Sequence, residues 1–131
     1  MKITNIAIEE IIDVINDPQS FRNNIHIKIP AKIRYAVRVN EDKINGLYVA
    51  YQKERAQIIQ DHIAQEHAIV EGDKYRIKPE YIDEVNGELA ELASIKNEVE
   101  FHTVDKDSME EFLASVDLSL PEEKVLLLFV E

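Results

Sequence analysis

Three residues in this chain have the type and spacing for metal or acid–base chemistry: His62, Glu66 and His67. On a helix His62 and Glu66, four residues apart, share a face, and His67 lies about 100° round from Glu66. Imidazole nitrogen and carboxylate oxygen are zinc donors, but a site needs at least a third protein ligand. The spacing matches neither zincin pattern, in which two histidines and a glutamate converge. A complete ligand set therefore requires His26, His102 or a carboxylate delivered by the fold. Histidines near a helix C-terminus also simply complement its carbonyls. The expectation from the sequence is no metal and no cofactor.

Other reactive arrangements are missing. Glu9-Glu10, Asp83-Glu84, Glu110-Glu111 and Glu122-Glu123 are sequence neighbours. Adjacent helical side chains point about 100° apart, so these pairs read as solvated faces rather than paired acids. There is no G-x-S-x-G and no P-loop, and Gly46, Gly72 and Gly87 stand too far apart to cradle a phosphate. The absence of cysteine removes disulfides, thiolate metal sites and cysteine nucleophiles. These residues predict a protein without catalytic side chains, not an enzyme.

The elements that would position such groups are dominated by the stretch from Pro30 to Glu66. Ile33, Val37, Ile44, Leu47, Tyr51 and Ile58 recur at steps of three, four or seven, which places them on one helical face. A helix of that length is roughly 55 Å long, against a radius of gyration of about 14 Å for a compact chain of this size. The helix is expected to outrun its globule and leave apolar face for a partner. Asn45-Gly46 is the weak point, since glycine in a helix costs about 1 kcal/mol relative to alanine. The periodicity crosses it in phase, which favours one helix.

Before it, Thr4 or Asn5 caps a first helix with Ile8, Ile11, Ile12 and Ile15 as its buried stripe. Asn16-Asp17-Pro18 ends that helix. Arg22-Asn23-Asn24 is turn-like, and Ile25-His26-Ile27-Lys28-Ile29 alternates as a strand does. Pro30 suits the start of the long helix. After it, Ala68–Ile77 reads as a β-hairpin around Gly72-Asp73. Pro79 opens a second helix to about Lys96, striped by Ile82, Val85, Leu89, Leu92 and Ile95, which pairs antiparallel with about half of the first. Val99–Val104 alternates as a strand and is expected to join the earlier ones in a small antiparallel sheet. Asp107 and Glu110 fit a capping pattern for a short helix carrying Met109, Phe112, Leu113 and Val116. Ser119-Leu120-Pro121-Glu122 opens an apolar final helix through Val130. The fold class expected is α+β: mainly helical, a long antiparallel helical hairpin with a small sheet, in one domain over residues 1–131.

Charge is divided unevenly. Residues 1–78 carry 12 Lys+Arg against 11 Asp+Glu, while residues 79–131 carry 3 against 15, giving the net −11. An acidic half argues against direct nucleic-acid binding, which needs Lys and Arg at phosphates. Lys28, Lys32, Arg34 and Arg38 cluster at the start of the long helix and are expected to neutralise the chain's own acids. Tyr35, Tyr48 and Tyr51 lie among basic residues, as in nucleic-acid platforms, but their helical spacing reads as packing. No run approaches the ~20 apolar residues of a membrane span. Met1–Asn5 lacks a secretory pattern, and the expectation is a cytosolic protein.

The run Ile29-Pro30-Ala31-Lys32-Ile33-Arg34-Tyr35-Ala36-Val37-Arg38-Val39-Asn40 resembles a family of small proteins of phages and prophages of Gram-positive bacteria, known only as a domain of unknown function. Pro30, Lys32, Tyr35, Ala36 and Asn40 fit that family's lead-in to a long charged helix, with Ile29 where leucine is usual. Leu118-Ser119-Leu120-Pro121 to Phe129 fits its leucine-rich tail. The resemblance implies a phage or prophage accessory protein of the host cytoplasm or the virion, and supplies no catalytic residues. Asn40 falls on the seam, where a buried amide fixes register.

Two functions follow as expectations. The first is a non-enzymatic phage-type protein that binds a host or phage protein and forms a homodimer, without a small-molecule substrate, through Ile44, Leu47, Tyr51, Ile58, Leu127 and Phe129. The second is an acidic inhibitor that occupies the nucleic-acid channel of a host defence or replication protein, through Asp83, Glu84, Glu88, Glu91, Glu110 and Glu111.

Overall fold

Between Pro30 and Pro79 no proline interrupts the chain, and in the computed structural model, which describes residues 1–131, one helix fills most of that interval. The elements run β1 (Lys2–Thr4), α1 (Asn5–Asn16), α2 (Ala31–Ala64), β2 (Ala68–Glu71), β3 (Lys74–Ile77), a 3₁₀ turn (Pro79–Tyr81), α3 (Ile82–Ala93), β4 (Lys96–Glu98), α4 (Lys106–Ser115) and α5 (Leu120–Leu127). The 34 residues of α2 span roughly 51 Å. Asn45-Gly46 does not break it, and a Cβ added at Gly46 would meet nothing within 4 Å. The architecture is the expected one, mainly helical α+β, with α3 turned back along the distal part of α2 and the β2–β3 hairpin between them.

The core lies against the first half of α2. Ile33, Ala36, Val37, Asn40 and Ile44 are buried there, whereas Tyr51 and His62 are the buried residues of the second half. Thr4 caps α1 by accepting from the Ala7 N–H at 3.2 Å, and Ile8, Ile11, Ile12 and Ile15 form its buried stripe. Each fully buried isoleucine contributes about 1.5–3 kcal/mol of transfer free energy. Helix α1 runs antiparallel to α2, with Glu9 beside Arg55 at 3.6 Å near one end and Arg22 paired with Glu41 near the other. Ser119 and Glu122 form a capping box at the start of α5, which sends Val125, Leu126 and Phe129 inward. The free Glu122 oxygen accepts from the Phe21 N–H at 2.8 Å, so Phe21, fully buried, is tied to the C-terminal helix.

The strands differ from expectation. There are two separate two-stranded antiparallel sheets, β1–β4 and β2–β3. Residues 25–29 are not a strand. The Asn24 side chain accepts from the His26 N–H and the Asn24 carbonyl from the Ile27 N–H, a turn that leaves Ile25 92 % exposed. The predicted strand over 99–104 is displaced to β4, and the reason lies in α2. Asn40, fully buried, donates to the His102 carbonyl at 2.9 Å and accepts from the His102 N–H at 2.7 Å. Lys43 donates to the Glu100 carbonyl at 2.6 Å. Side chains thus satisfy backbone groups that a strand partner would otherwise take. Asn40 fixes this segment rather than a helix–helix register. Val104 pairs instead with Val130 as an isolated parallel bridge.

Two smaller corrections follow. The cap of α4 is Asp105, which accepts from the Ser108 N–H at 3.0 Å; Asp107 lies in the first turn. The second long helix is shorter than the Pro79–Lys96 stretch, and Ile82 and Ile95, at its ends, are exposed. No helix is long and apolar enough to cross a membrane.

Candidate functional site

Helix α2 ends without glycine. Glu66 itself adopts a left-handed φ of 63°, costing roughly 1–2 kcal/mol for a residue with a Cβ. In return the His67 N–H bonds to the His62 carbonyl at 2.9 Å and the Glu66 N–H to the Ile63 carbonyl at 3.0 Å. These are the paired bonds of a Schellman stop. The reversal brings His67 back against the helix it has just left. Its carbonyl accepts from the Lys78 N–H at 2.9 Å, closing the base of the β2–β3 hairpin.

The result is a histidine-centred cluster at the junction of α2, the hairpin and α3. His62 is 3 % exposed. Its Nδ1 lies 2.8 Å from Nδ1 of His67, and its Nε2 lies 3.1 Å from a Glu88 carboxylate oxygen. Two Nδ1 atoms at that separation share one proton, one ring donating and the other accepting. The His67 ring stacks on Tyr81, with centroids 3.7 Å apart and planes inclined by 11°. Glu84, one turn before Glu88 on α3, brings a second carboxylate to the same place. Both acids sit in the first two turns of α3, where the helix N-terminus favours negative charge.

Of the chemistry-bearing residues read from sequence, the fold unites His62 with His67 and leaves Glu66 outside, exposed at the left-handed turn. His26 and His102 lie elsewhere: His26 in the exposed turn, His102 edge-on to Tyr35 at 5.1 Å. The missing donors are carboxylates, Glu84 and Glu88. A sequence signal for them existed. His62 continues the step of four from Ile58, so it falls on the buried side of α2, and a buried imidazole requires a polar partner from the facing helix.

The six residues assigned to a partner seam do not form one surface. Ile44, Tyr51 and Phe129 are buried within this chain, Leu47 and Ile58 are half-buried, and Leu127 is 56 % exposed. The body of the chain and α3 cover most of the apolar face of α2, which removes Ile44, Tyr51 and Phe129 from any contact with a partner. The six acids are divided between α3 and α4, and Glu88 is half-buried on His62 while the other five are exposed. Among the basic residues, Lys32 reaches Asp105 at 3.5 Å. Arg22 is lowered from its ordinary pKa by burial first and by the nearby Arg38 charge second. Tyr51 is buried, Tyr48 half-buried and accepting from Gln52 at 2.6 Å, and Tyr35 exposed.

Two further surfaces stand out. An open cleft of about 730 Å³ lies between β1–α1 and α5, with Ile3, Ala7, Ile11, Val125 and Leu128 among its lining. The second is the hairpin. Its register pairs Ala68 with Ile77 and Val70 with Tyr75, so these four share one face. Ala68 and Ile77 at the base are partly covered, but Val70 is 55 % and Tyr75 49 % exposed. Comparison with protein-family models, with curated proteins and with solved structures finds no match to this chain.

Proposed function

We propose that this chain is a non-enzymatic accessory protein of phage type that acts by protein–protein contact, and that its contacting part is the β2–β3 hairpin carried at the end of α2. The observation that carries this reading is the exposed apolar face at Val70 and Tyr75 on a hairpin with no further strand on either edge. A lone two-stranded hairpin is marginal in water, and its open edges pair readily with another strand. Ile69 on the opposite face is 38 % exposed as well. The phage assignment draws only on the resemblance of Ile29–Asn40 and of the Leu118–Phe129 tail.

The partner proposed is a second copy, joined hairpin to hairpin into a homodimer. Light scattering is expected to give about twice the 15.1 kDa chain mass, and Val70→Asp with Tyr75→Asp to return it to the monomer without loss of helicity. A monomeric wild type at about 100 µM, where a contact with a micromolar dissociation constant is nearly saturated, overturns the dimer. A double variant that stays dimeric overturns the hairpin as its seat.

A second reading is supported by the exposure of Asp83, Glu84, Glu91, Glu110 and Glu111, namely occupation of a basic nucleic-acid channel. It predicts complex formation that weakens steeply with salt, whereas an apolar hairpin contact is nearly indifferent to it.

A further inference from the structure

We propose that His62, Glu84 and Glu88 form a binding site for one divalent transition-metal ion of the zinc class, with His67 as the residue that orients the imidazole. One donor atom from each of the three residues lies within 4.8 Å of the others. A tetrahedral ion with bonds of about 2.1 Å holds its ligand atoms about 3.4 Å apart, so the cluster must draw in by roughly 1 Å. Glu84 is exposed and Glu88 half-buried, and rotation of their side chains supplies that movement. His62 stays fixed by burial.

Several independent features favour a cation over a plain ion pair. One carboxylate is enough to partner Nε2 of His62, and Glu88 already lies 3.1 Å from it. Glu84 adds a like charge one turn away from Glu88, an unfavourable pairing unless positive charge lies between them. Two carboxylates balance the charge of a divalent ion. The imidazole distinguishes this set from the all-oxygen cages of calcium and magnesium. To ligate, His62 must present the lone pair of Nε2 and carry its proton on Nδ1, where His67 Nδ1 at 2.8 Å accepts it. Such a hydrogen bond behind a metal-binding histidine sets both tautomer and ring direction. Stacking on Tyr81 keeps His67 in place. Three protein ligands leave a fourth position for water. The site joins α2 to α3 across the base of the hairpin, and it stands whether or not the hairpin binds a partner.

The test is calorimetric titration of chelator-treated protein with zinc chloride at neutral pH. One ion per chain is expected. Glu84→Gln, a change at an exposed side chain that should leave the circular dichroism spectrum intact, should weaken binding at least tenfold. His67→Phe, which keeps the stack on Tyr81 but removes the acceptor, should weaken it about 10–100-fold. His26→Gln and His102→Gln should bind as wild type does. The proposal is overturned if the wild type takes up no stoichiometric zinc, if Glu84→Gln and Glu88→Gln bind unchanged, or if His26→Gln or His102→Gln removes the ion.

Discussion

The two halves of α2 belong to one unbroken helix and live in different solvents. From Ala31 to Tyr48 the inward face is lined by Ile33, Ala36, Val37, Asn40 and Ile44, all at or near zero exposure. From Val49 to Ala64 it is lined by Tyr51, half-covered Ile58 and His62. The first half shares one core with α1, α4, α5 and the segment after β4; the second is backed by α3, touched by α1 through Glu9 and Arg55, and tipped by a hairpin. Helix periodicity is the same in both. What differs is the number of apolar neighbours, and that number rather than helix propensity decides how firmly each half is held.

The largest expected effect tests that contrast directly. Ile44→Ala removes a fully buried side chain and should cost about 2–5 kcal/mol, while the same change at half-buried Ile58 should cost about 1 kcal/mol. Urea denaturation at matched m-values measures both, and equal losses would erase the distinction between core half and distal half. Asn40→Ala comes next. It leaves both backbone groups of His102 without their partner and should cost about 1–3 kcal/mol; an intact Tm would mean that water replaces the amide. Gly46→Ala has the opposite sign. Nothing blocks the new methyl, so the helix should gain about 0.5–1 kcal/mol, read as a rise in Tm of a few degrees. A fall would reveal that the junction between the halves needs to bend.

The smallest effect is at α4, which acts as a control away from α2. Hydrogen bonds from the Ser108 hydroxyl and N–H, with a lesser contribution from Lys32, hold the Asp105 carboxyl below its ordinary pKa. A carboxyl depressed in the folded state stabilises above its unfolded pKa of about 3.9 and loses that contribution as pH falls through the lower folded value. Asp105→Asn keeps a capping oxygen but not the charge, so it should lower stability slightly at neutral pH and leave it unchanged at acid pH, flattening the acid limb. A loss of equal size at every pH would mean that the capping oxygen rather than its charge carries the effect.

Much of the helical frame was legible in sequence because its signals are local. The isoleucine stripe, the Thr4 cap, Pro30, and the Gly72 turn, which takes a φ of 62°, each act within a few residues. The strands failed where the deciding contact was distant. Alternation at Ile25–Ile29 and Val99–Val104 is genuine, but a strand needs an edge to join, and Asn24 and Asn40 answered those backbone groups first. Likewise the hydrophobic period on α2 shows which face is apolar and not whether this chain covers it. Ile44, Tyr51 and Phe129 therefore looked available and are not. The histidine cluster is half visible in the sequence: His62 and His67 are evident, but helical spacing points to Glu66, because nothing in a helical projection reveals that its own backbone turns left-handed and carries it away.

The pairing of β1 with β4 sets the order in which the molecule assembles. Ile3 meets Asn97 and the Phe21 N–H meets Glu122, so the body closes only after segments from opposite parts of the chain have diffused together. The hairpin and the α2–α3 return join near neighbours in sequence. Loop-closure entropy makes the first kind of contact slow and the second fast. The distal arm should therefore be an early, fleeting structure during refolding, and the rate-limiting event should be the late docking of the chain's far ends onto a helix already formed.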